Sequence, residues 1–506
     1  LLYGFTAHIR NGINSKRRFT MKDKKQPMTD LALALAKKDE ESAAAASKVN
    51  TLSARQMILA ILDDSTFAET GTYVRRSADS DEFEGVICGY GAIDSRLVFI
   101  FAQDFFRMKG AFDRQQAKKI CDLYALAEKS GAPVIGIFNS AGACINEGVD
   151  ALGAYGEVMR AVAKASGVIP QIAYIHGICA GSAAVISAMF DVSVSVKDKS
   201  SIYVNPPSLL PGKDAGTADH TARTGLISKV YDTEAEAAAG IRRLLNYLPQ
   251  NNMEGTVTEL STDDLNRTVN IPDAGEGYDI KTVLSEICDH GEFMEVSDSY
   301  APEALCALGS IGGSVTGIVA NQPVSDGGRL TPQCARKMAR FISLCDSFSI
   351  PVVTLVDSEG IAVDGEGEDA PLAAELSKLA FAYAGAVCPK ITVVIGKAYG
   401  SAFTLMGSKS VGADIAFALD SAQISIMSPA SAVAFLWNDR VAKQSREEVE
   451  ADWAAEYATP ARAALHGEID DVIKTAELRQ RICAALSMLA SKCAGTPARR
   501  HANLPL

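Results

Sequence analysis

Apolar residues along this chain fall at two periods. Over 53–62 (Ser-Ala-Arg-Gln-Met-Ile-Leu-Ala-Ile-Leu) the spacing is helical, and Asp63-Asp64-Ser65 stops it. Short β-rich runs at 85–94 and 97–102, joined by a reversal at Ser95-Arg96, predict a hairpin. The pattern then predicts helix 115–130, strand 133–138, a small-residue turn, helix 147–166, strand 171–176, a turn at 177–182 and helix 182–190. Strand, turn and helix in repetition, with strands apolar throughout, predict an α/β fold with buried strands.

The same text is then written again. Ala117-Lys-Lys … Pro133-Val-Ile … Asn139-Ser-Ala-Gly142 returns 218 residues later (133 to 351, 139 to 357) as Ala335-Arg-Lys … Pro351-Val-Val … Asp357-Ser-Glu-Gly360. Pro170-Gln-Ile-Ala … Gly181-Ser-Ala183 returns after 219 as Pro389-Lys-Ile-Thr … Gly400-Ser-Ala402. One residue of drift over such a span indicates a duplicated domain, and two copies make a pair rather than a solenoid. The second copy predicts a helix near Ile280, a hairpin from Gly309 to Asn321, helix 332–346, strand 351–356, helix 371–385 and strand 391–395. An acidic helix at 445–455 and a last helix at 475–492 follow. A polar, turn-forming stretch from Pro249 to Gly277 separates the copies. The expected division is 53–255 and 256–506, preceded at 21–52 by a polar arm that reads as a polar helix or a partly ordered segment. Residues 1–20 carry Arg10, Lys16, Arg17 and Arg18 without an apolar core, and read as an upstream extension with Met21 a natural start.

Composition narrows the class. With 48% hydrophobic and 22% charged residues among 506, this is an ordinary globular composition. A net charge of −12 argues against a nucleic-acid surface. The longest apolar runs fall short of the ~18–20 residues of a membrane helix. Eleven cysteines are scattered without a C-x-x-C pair, so buried thiols and a reducing, cytoplasmic compartment are expected.

Side-chain catalysis finds little support. The chain shows no G-x-S-x-G elbow, Walker loop, H-E-x-x-H or other metal motif, and its six histidines are dispersed. His176, on a predicted buried strand, reads as a satisfied core residue. The small-residue turns are the better candidates: Asn139–Ala143 and Gly177–Ala183 in the first copy, Ser358–Ile361 and Ala398–Ala402 in the second. Small residues let backbone approach a ligand, and free amides at a following helix carry positive potential. Tight strand-to-helix packing accounts for one such turn. Two in each of two copies point to sites for oxyanions, such as the enolate of a thioester.

These residues carry a resemblance. The chain is similar, from about Ser53 to Leu506, to the carboxyltransferase subunits of biotin-dependent acyl-CoA carboxylases and of sodium-pumping acyl-CoA decarboxylases. The matching segments include Ser53-Ala-Arg-Gln-Met-Ile, Gln103-Asp-Phe105, Asn146-Glu-Gly-Val-Asp150, Ala165-Ser-Gly-Val-Ile-Pro170 and Cys179-Ala-Gly181. Others are Arg242-Arg-Leu-Leu-Asn-Tyr-Leu-Pro249, Gly317-Ile-Val-Ala-Asn-Gln-Pro323, Lys397-Ala-Tyr-Gly400 and His501-Ala-Asn-Leu-Pro-Leu506. The resemblance implies two tandem crotonase-like β-β-α spiral domains, and a site at a dimer interface between the first domain of one subunit and the second of another. It places Gly142, Ala143, Gly181 and Ser182 on the acyl-CoA side. Ser401 and Ala402, with Gly360, Ile361, Tyr399 and Gly400, fall on the biotin side. Biotin would arrive on a separate carrier protein, because the chain lacks a Met-Lys-Met attachment site and an ATP-grasp loop. The implied partners are that carrier, a biotin carboxylase or a membrane decarboxylase subunit, and further copies of the chain in a hexamer; with a membrane decarboxylase subunit the chain would sit peripherally at a membrane.

Several positions depart from the family's usual residues. Asp-Ser-Gly-Gly-Ala-Arg becomes Asn139-Ser-Ala141-Gly-Ala-Cys144, Gly-Gly becomes Gly181-Ser182 and Gly400-Ser401, and Pro-Gly-Phe becomes Glu359-Gly360-Ile361. Alanine or serine keeps the amide N–H, provided φ is negative. Loss of the arginine at Cys144 removes a fixed positive group beside the thioester pocket. The expected activity is carboxyl transfer between biotin and a propionyl/methylmalonyl-sized acyl-CoA, in either direction. Alternatives are the carboxyltransferase of a sodium-pumping decarboxylase, a non-catalytic scaffold, and a hydratase or isomerase drawing on Glu147 or Glu359.

Overall fold

The computed structural model describes residues 28–76, 82–209, 214–258, 260–271, 277–363, 371–495 and 503. Its strands form two sheets. The first joins β1 (Ala68–Thr70), β2 (Val86–Ile93), β3 (Arg96–Gln103), β4 (Val134–Ser140), β5 (Gln171–Ala180), β6 (Val192–Val196) and β8 (Lys229–Tyr231) in the order β1-β2-β3-β4-β5-β6-β8. Here β7 (Ser201–Tyr203) pairs with the end of β5. The second joins β9 (Phe293–Glu295), β10 (Ala304–Ile311), β11 (Ser314–Asn321), β12 (Val352–Ser358), β13 (Lys390–Tyr399), β14 (Ile415–Leu419) and β16 (Asp471–Ile473) in that order. There β15 (Gln423–Ser425) pairs with β13. The two sheets match strand for strand, as the sequence repeat requires. In each, an antiparallel hairpin opens onto parallel strands, and β4 and β12 are buried along their whole length. This is the α/β, crotonase-like duplication expected.

Helices cover the sheets because their caps and apolar faces agree. Helix Arg114–Ser130 starts where the Asp113 carboxylate accepts the Gln116 amide at 2.9 Å, and it stops at Gly131, whose φ is 59°. Its buried face is Ala117, Ile120, Leu123, Tyr124 and Ala127. The counterpart helix Pro332–Ser347 is capped by Thr331 and begins with proline, which costs nothing at a position without an amide partner. The copies meet through Arg340, which donates to Phe190 O at 2.9 Å, and through Ser297, whose amide donates to Ser228 O at 2.8 Å.

Two expectations shift, and the arm takes the helical one of its two readings. The predicted turn 177–182 is mostly strand, as is its counterpart: after a register break at Phe138/Ser140, Ile178–Ala180 leave β6 and pair with β7. The helix expected at 182–190 closes at Ala188. The polar arm contains a helix, Met28–Lys48, docked on the first copy through Leu35, Ser42 and Ala46, with Ser42 donating to Asp104 at 2.7 Å. Its inward face is too short and too polar to register as a hydrophobic stripe. The extension at 1–20 lies outside the described residues.

Candidate functional site: paired glycine turns

β4 and β12 each run into a turn built the same way. The Gly142 amide donates to Ser140 Oγ at 3.2 Å, and the Gly360 amide donates to Ser358 Oγ at 3.2 Å. Phe112 then straps the first turn: its amide donates to Gly142 O, and its carbonyl accepts the Cys144 amide, both at 2.8 Å. Leu330 does the same for Gly360 and Ala362, both at 3.0 Å. Gly142 and Gly360 have φ of 125° and 122°, a conformation that disfavours any side chain. The amides in between, Ala143 and Ile361, have no hydrogen-bond acceptor among the described residues.

The second turn of each copy ends β5 or β13. Gly181 (φ 63°, ψ −129°) donates to Tyr203 O at 2.8 Å, and Gly400 (φ 60°, ψ −143°) donates to Ser425 O at 2.9 Å. Ser182 and Ser401 are therefore the first helical residues, and their amides reach no acceptor among the described residues. A Cβ on Gly142 or Gly181 would meet nothing within 4 Å, so these two border open space. A Cβ on Gly360 would stand 3.6 Å from Tyr399 O, which puts the second copy's two turns side by side. Ala402 is buried at the second helical position. Tyr399 offers only backbone here: its side chain is buried with the hydroxyl on Gln423, and burial pushes its pKa up to about 12.

Two side chains that the sequence reading passed over hold the turns in place. Asn139 Oδ1 accepts the Ile178 amide at 3.1 Å, and Asp357 Oδ1 accepts the Lys397 amide at 2.8 Å. Each ties the end of one strand to the bend in the next. Asp357 also accepts from the Tyr278 hydroxyl at 3.0 Å, and burial raises its pKa. The signal was available in the sequence, since each residue directly precedes the serine that the two copies share.

The departures from the family's residues fall where they can be tolerated. Ala141, Ser182 and Ser401 are absent from the positive-φ residues, while glycine is kept at 142, 181, 360 and 400. Cys144 is buried, and Arg76 Nη2 approaches its Sγ at 3.4 Å while donating to Asp113 Oδ2 at 2.8 Å. A guanidinium thus stands beside position 144, supplied by another segment. The two carboxylates considered as acid–base groups are both engaged. Glu147 accepts the Arg114 amide at 2.9 Å, and Glu359 is held by Arg329 and Lys397 at 2.7 and 3.0 Å. His176 is buried against Glu234 at 2.6 Å. Among the described residues no cluster of three His, Cys, Asp or Glu side chains could hold a metal.

The profile of the carboxyl transferase domain family matches residues 47–504. The chain belongs to this family. It is 38% identical over 484 residues to the propionyl-CoA carboxylase carboxyltransferase subunit of Haloferax mediterranei, an alignment covering 90% of this chain and 93% of that one. It is 34% identical over 483 residues to the methylmalonyl-CoA decarboxylase subunit alpha of Propionigenium modestum, covering 90% and 93%. Its fold superposes on a transcarboxylase 12S structure, a hexamer with methylmalonyl-coenzyme A bound, with a TM-score of 0.88 at 31% identity over 95% of this chain and 100% of that one. The chain is accordingly a carboxyltransferase of the biotin-dependent acyl-CoA class. Among the described residues no helix is long and apolar enough to cross a membrane.

Proposed function

We propose that this carboxyltransferase moves a carboxyl group between carrier-bound biotin and the α-carbon of an acyl-CoA of propionyl/methylmalonyl size. The observation that carries the reading is that each copy keeps two free amides at the ends of adjacent strands, Ala143 and Ser182 in one and Ile361 and Ser401 in the other. The one carboxylate in these turns, Glu359, is tied to Arg329 and Lys397 and is not placed as an acid or base. What the turns supply is preorganised donors for two developing oxyanions. Gly142, Ala143, Gly181 and Ser182 would hold the thioester oxygen as it becomes an enolate, in the turn pair that borders open space. Gly360, Ile361, Gly400, Ser401 and Ala402 would hold the ureido oxygen of biotin, with the Tyr399 backbone lining the same turn. Biotin on its carrier would supply the carboxyl group and the base that removes the α-proton. The chain's residues bind, orient and stabilise.

Further copies of the chain are the expected partners, as a homo-hexamer with each site shared between the first copy of one subunit and the second copy of its neighbour. Exposed large apolar side chains in both copies support this. Ile145, Val149 and Leu152 follow the first turn in the chain; Ile426 stands beside Gly400, and Phe435 and Leu436 end the helix Pro429–Leu436 that follows it. A biotin carrier, with a biotin carboxylase or a membrane decarboxylase subunit, completes the set; the relatives named for carboxylases and for decarboxylases favour neither direction.

Incubation of the purified protein with malonyl-, methylmalonyl- or glutaconyl-CoA plus free biotin, followed by mass spectrometry of the thioesters, tests the reading. Biotin-dependent decarboxylation of methylmalonyl-CoA is the expected result. Glutaconyl-CoA turnover would favour the sodium-pump alternative, turnover without biotin a crotonase-type enzyme, and silence on all three a scaffold.

A further inference from the structure

The duplication allows each residue beside one turn to be compared with its counterpart beside the other. Asp326, Arg329, Glu359 and Lys397 surround the second-copy turn; the same positions in the first copy are Met108, Ala111, Ala141 and Ile178. The backbone is equivalent at these places. Asp326 and Met108 have φ of 48° and 50°, and the Glu359 and Ala141 amides donate to Gly327 O and Lys109 O at 3.1 and 3.0 Å. Only the side chains differ. At these four positions one turn carries charges and the other carries none, so folding the turn does not require these charges.

The cluster has a definite order. Glu359 Oε2 accepts from Arg329 Nη2 at 2.7 Å, Glu359 Oε1 accepts from Lys397 Nζ at 3.0 Å, and Asp326 Oδ1 accepts from Arg329 Nη1 at 2.9 Å. Glu359 directly precedes Gly360-Ile361, and Lys397 lies three residues before Gly400 on β13. A carboxylate is therefore gripped by two cations at the lip of the paired turns. The three side chains are 34%, 37% and 31% exposed, so water screens the pairs and the carboxylate can exchange. If Glu359 swings out, Arg329 keeps Asp326 while Lys397 loses its partner, leaving one positive charge for one incoming carboxylate. Asp357, the other acid nearby, is buried on the Lys397 amide and the Tyr278 hydroxyl and does not compete.

We propose that Arg329 and Lys397 form a receptor for the carboxylate carried on the biotin ring, and that Glu359 occupies this receptor until the carboxylated ring arrives. The inference rests on the reading of the second-copy turns as the biotin side. Glu359 is then a specificity residue: it screens the receptor from other anions and is displaced by the group to be transferred.

The test is calorimetric binding of two probes to the full-length protein, biotin amide and the same amide carrying a stable carboxymethyl group on the ureido nitrogen. Neither probe has a valerate carboxylate, so the ring carboxylate is the only anion. Glu359→Gln should bind the carboxymethylated probe roughly 3- to 10-fold more tightly than the wild type, the size of one partly exposed ion pair, with biotin amide unchanged. The double variant Arg329→Gln/Lys397→Gln should lose a similar factor for the carboxymethylated probe alone. Equal effects on both probes, or none, would overturn the proposal and leave Glu359 as a brace for the turn. Wild-type protein that is folded by circular dichroism and binds neither probe would overturn the biotin-side reading as well, so the two failures are distinguishable.

Discussion

Asp357 lies where a side chain on Gly396 would have to go: a Cβ there would stand 2.3 Å from the carboxyl carbon. The first copy repeats the relationship, with Asn139 Oδ1 2.3 Å from a Cβ on Gly177. Neither glycine has a positive φ, so the constraint is close approach and not backbone strain. Gly396→Ala should therefore destabilise the protein by about 1–3 kcal/mol, as overpacking of a filled site does. Asp357→Asn should be nearly neutral, because Asn139 already makes the equivalent bond in the first copy. Adding Asp357→Ala to Gly396→Ala should recover part of the loss, which urea titration of the four proteins would show as non-additivity. Additive losses would mean that the two residues do not share the space.

Ser182 and Ser401 offer a way to delete an amide without deleting a side-chain function. Proline is well tolerated as the first residue of a helix, and it removes the N–H. Ser182→Pro and Ser401→Pro should keep the melting temperature within a few degrees. Each should lower kcat for biotin-dependent acyl-CoA decarboxylation by about 10²–10³, the usual effect of one missing oxyanion donor. Serine-to-alanine at the same positions should cost little. If Ser182→Ala and Ser182→Pro lose activity equally, the hydroxyl and not the amide is the working group.

The architecture was legible in the sequence because the fold was written twice. The 218-residue offset between Asn139 and Asp357 predicts equivalent strands, and β4 and β12 are equivalent. Strand ends were less visible: Ile178–Ala180 look like a turn by composition, and become strand only because β7 supplies a distant partner. The docking of helix Met28–Lys48 was hidden for a similar reason, since its inward face depends on tertiary bonds such as Ser42 to Asp104. The glycine turns could be read directly, because only glycine takes φ near 60° followed by ψ near −130° at Gly181. The charge cluster around Glu359 could not. Its members are spread over 326–397 and look like ordinary surface residues until the chain folds.

Glu84 gives the stability of the first copy a pH dependence. It is buried, its Oε2 lacks a hydrogen-bond partner, and burial followed by the charge of Asp113 raises its pKa to about 7. Below the ordinary carboxyl value of 4.5 the group is protonated in both folded and unfolded chains and contributes nothing. As pH rises from there, the unfolded chain ionises first, so stability falls. The loss is complete once pH exceeds about 7. Glu84→Gln removes that ionisation. Its melting temperature relative to wild type should climb between pH 5 and pH 8, by an amount equivalent to on the order of 2 kcal/mol. A constant difference across that range would show that Glu84 ionises normally in the folded protein.

Phe435 is 84% exposed at the end of helix Pro429–Leu436, while Ala432 and Val433 on the same helix are buried with Trp453. The helix thus spends its inner face on its own core and leaves Phe435, Leu436 and the nearby Ile426 outward. Burying one such side chain against a neighbouring subunit is worth about 2–3 kcal/mol. In a symmetric assembly the contribution recurs at every copy of the interface. Phe435→Asp should leave the fold of the single chain intact, because the side chain contributes little to it. It should reduce the particle mass measured by light scattering towards that of one 53.5 kDa chain. Activity should fall in parallel if the site is shared between subunits, and return at high protein concentration. A Phe435→Asp protein of unchanged mass would show that this face is not where the copies meet.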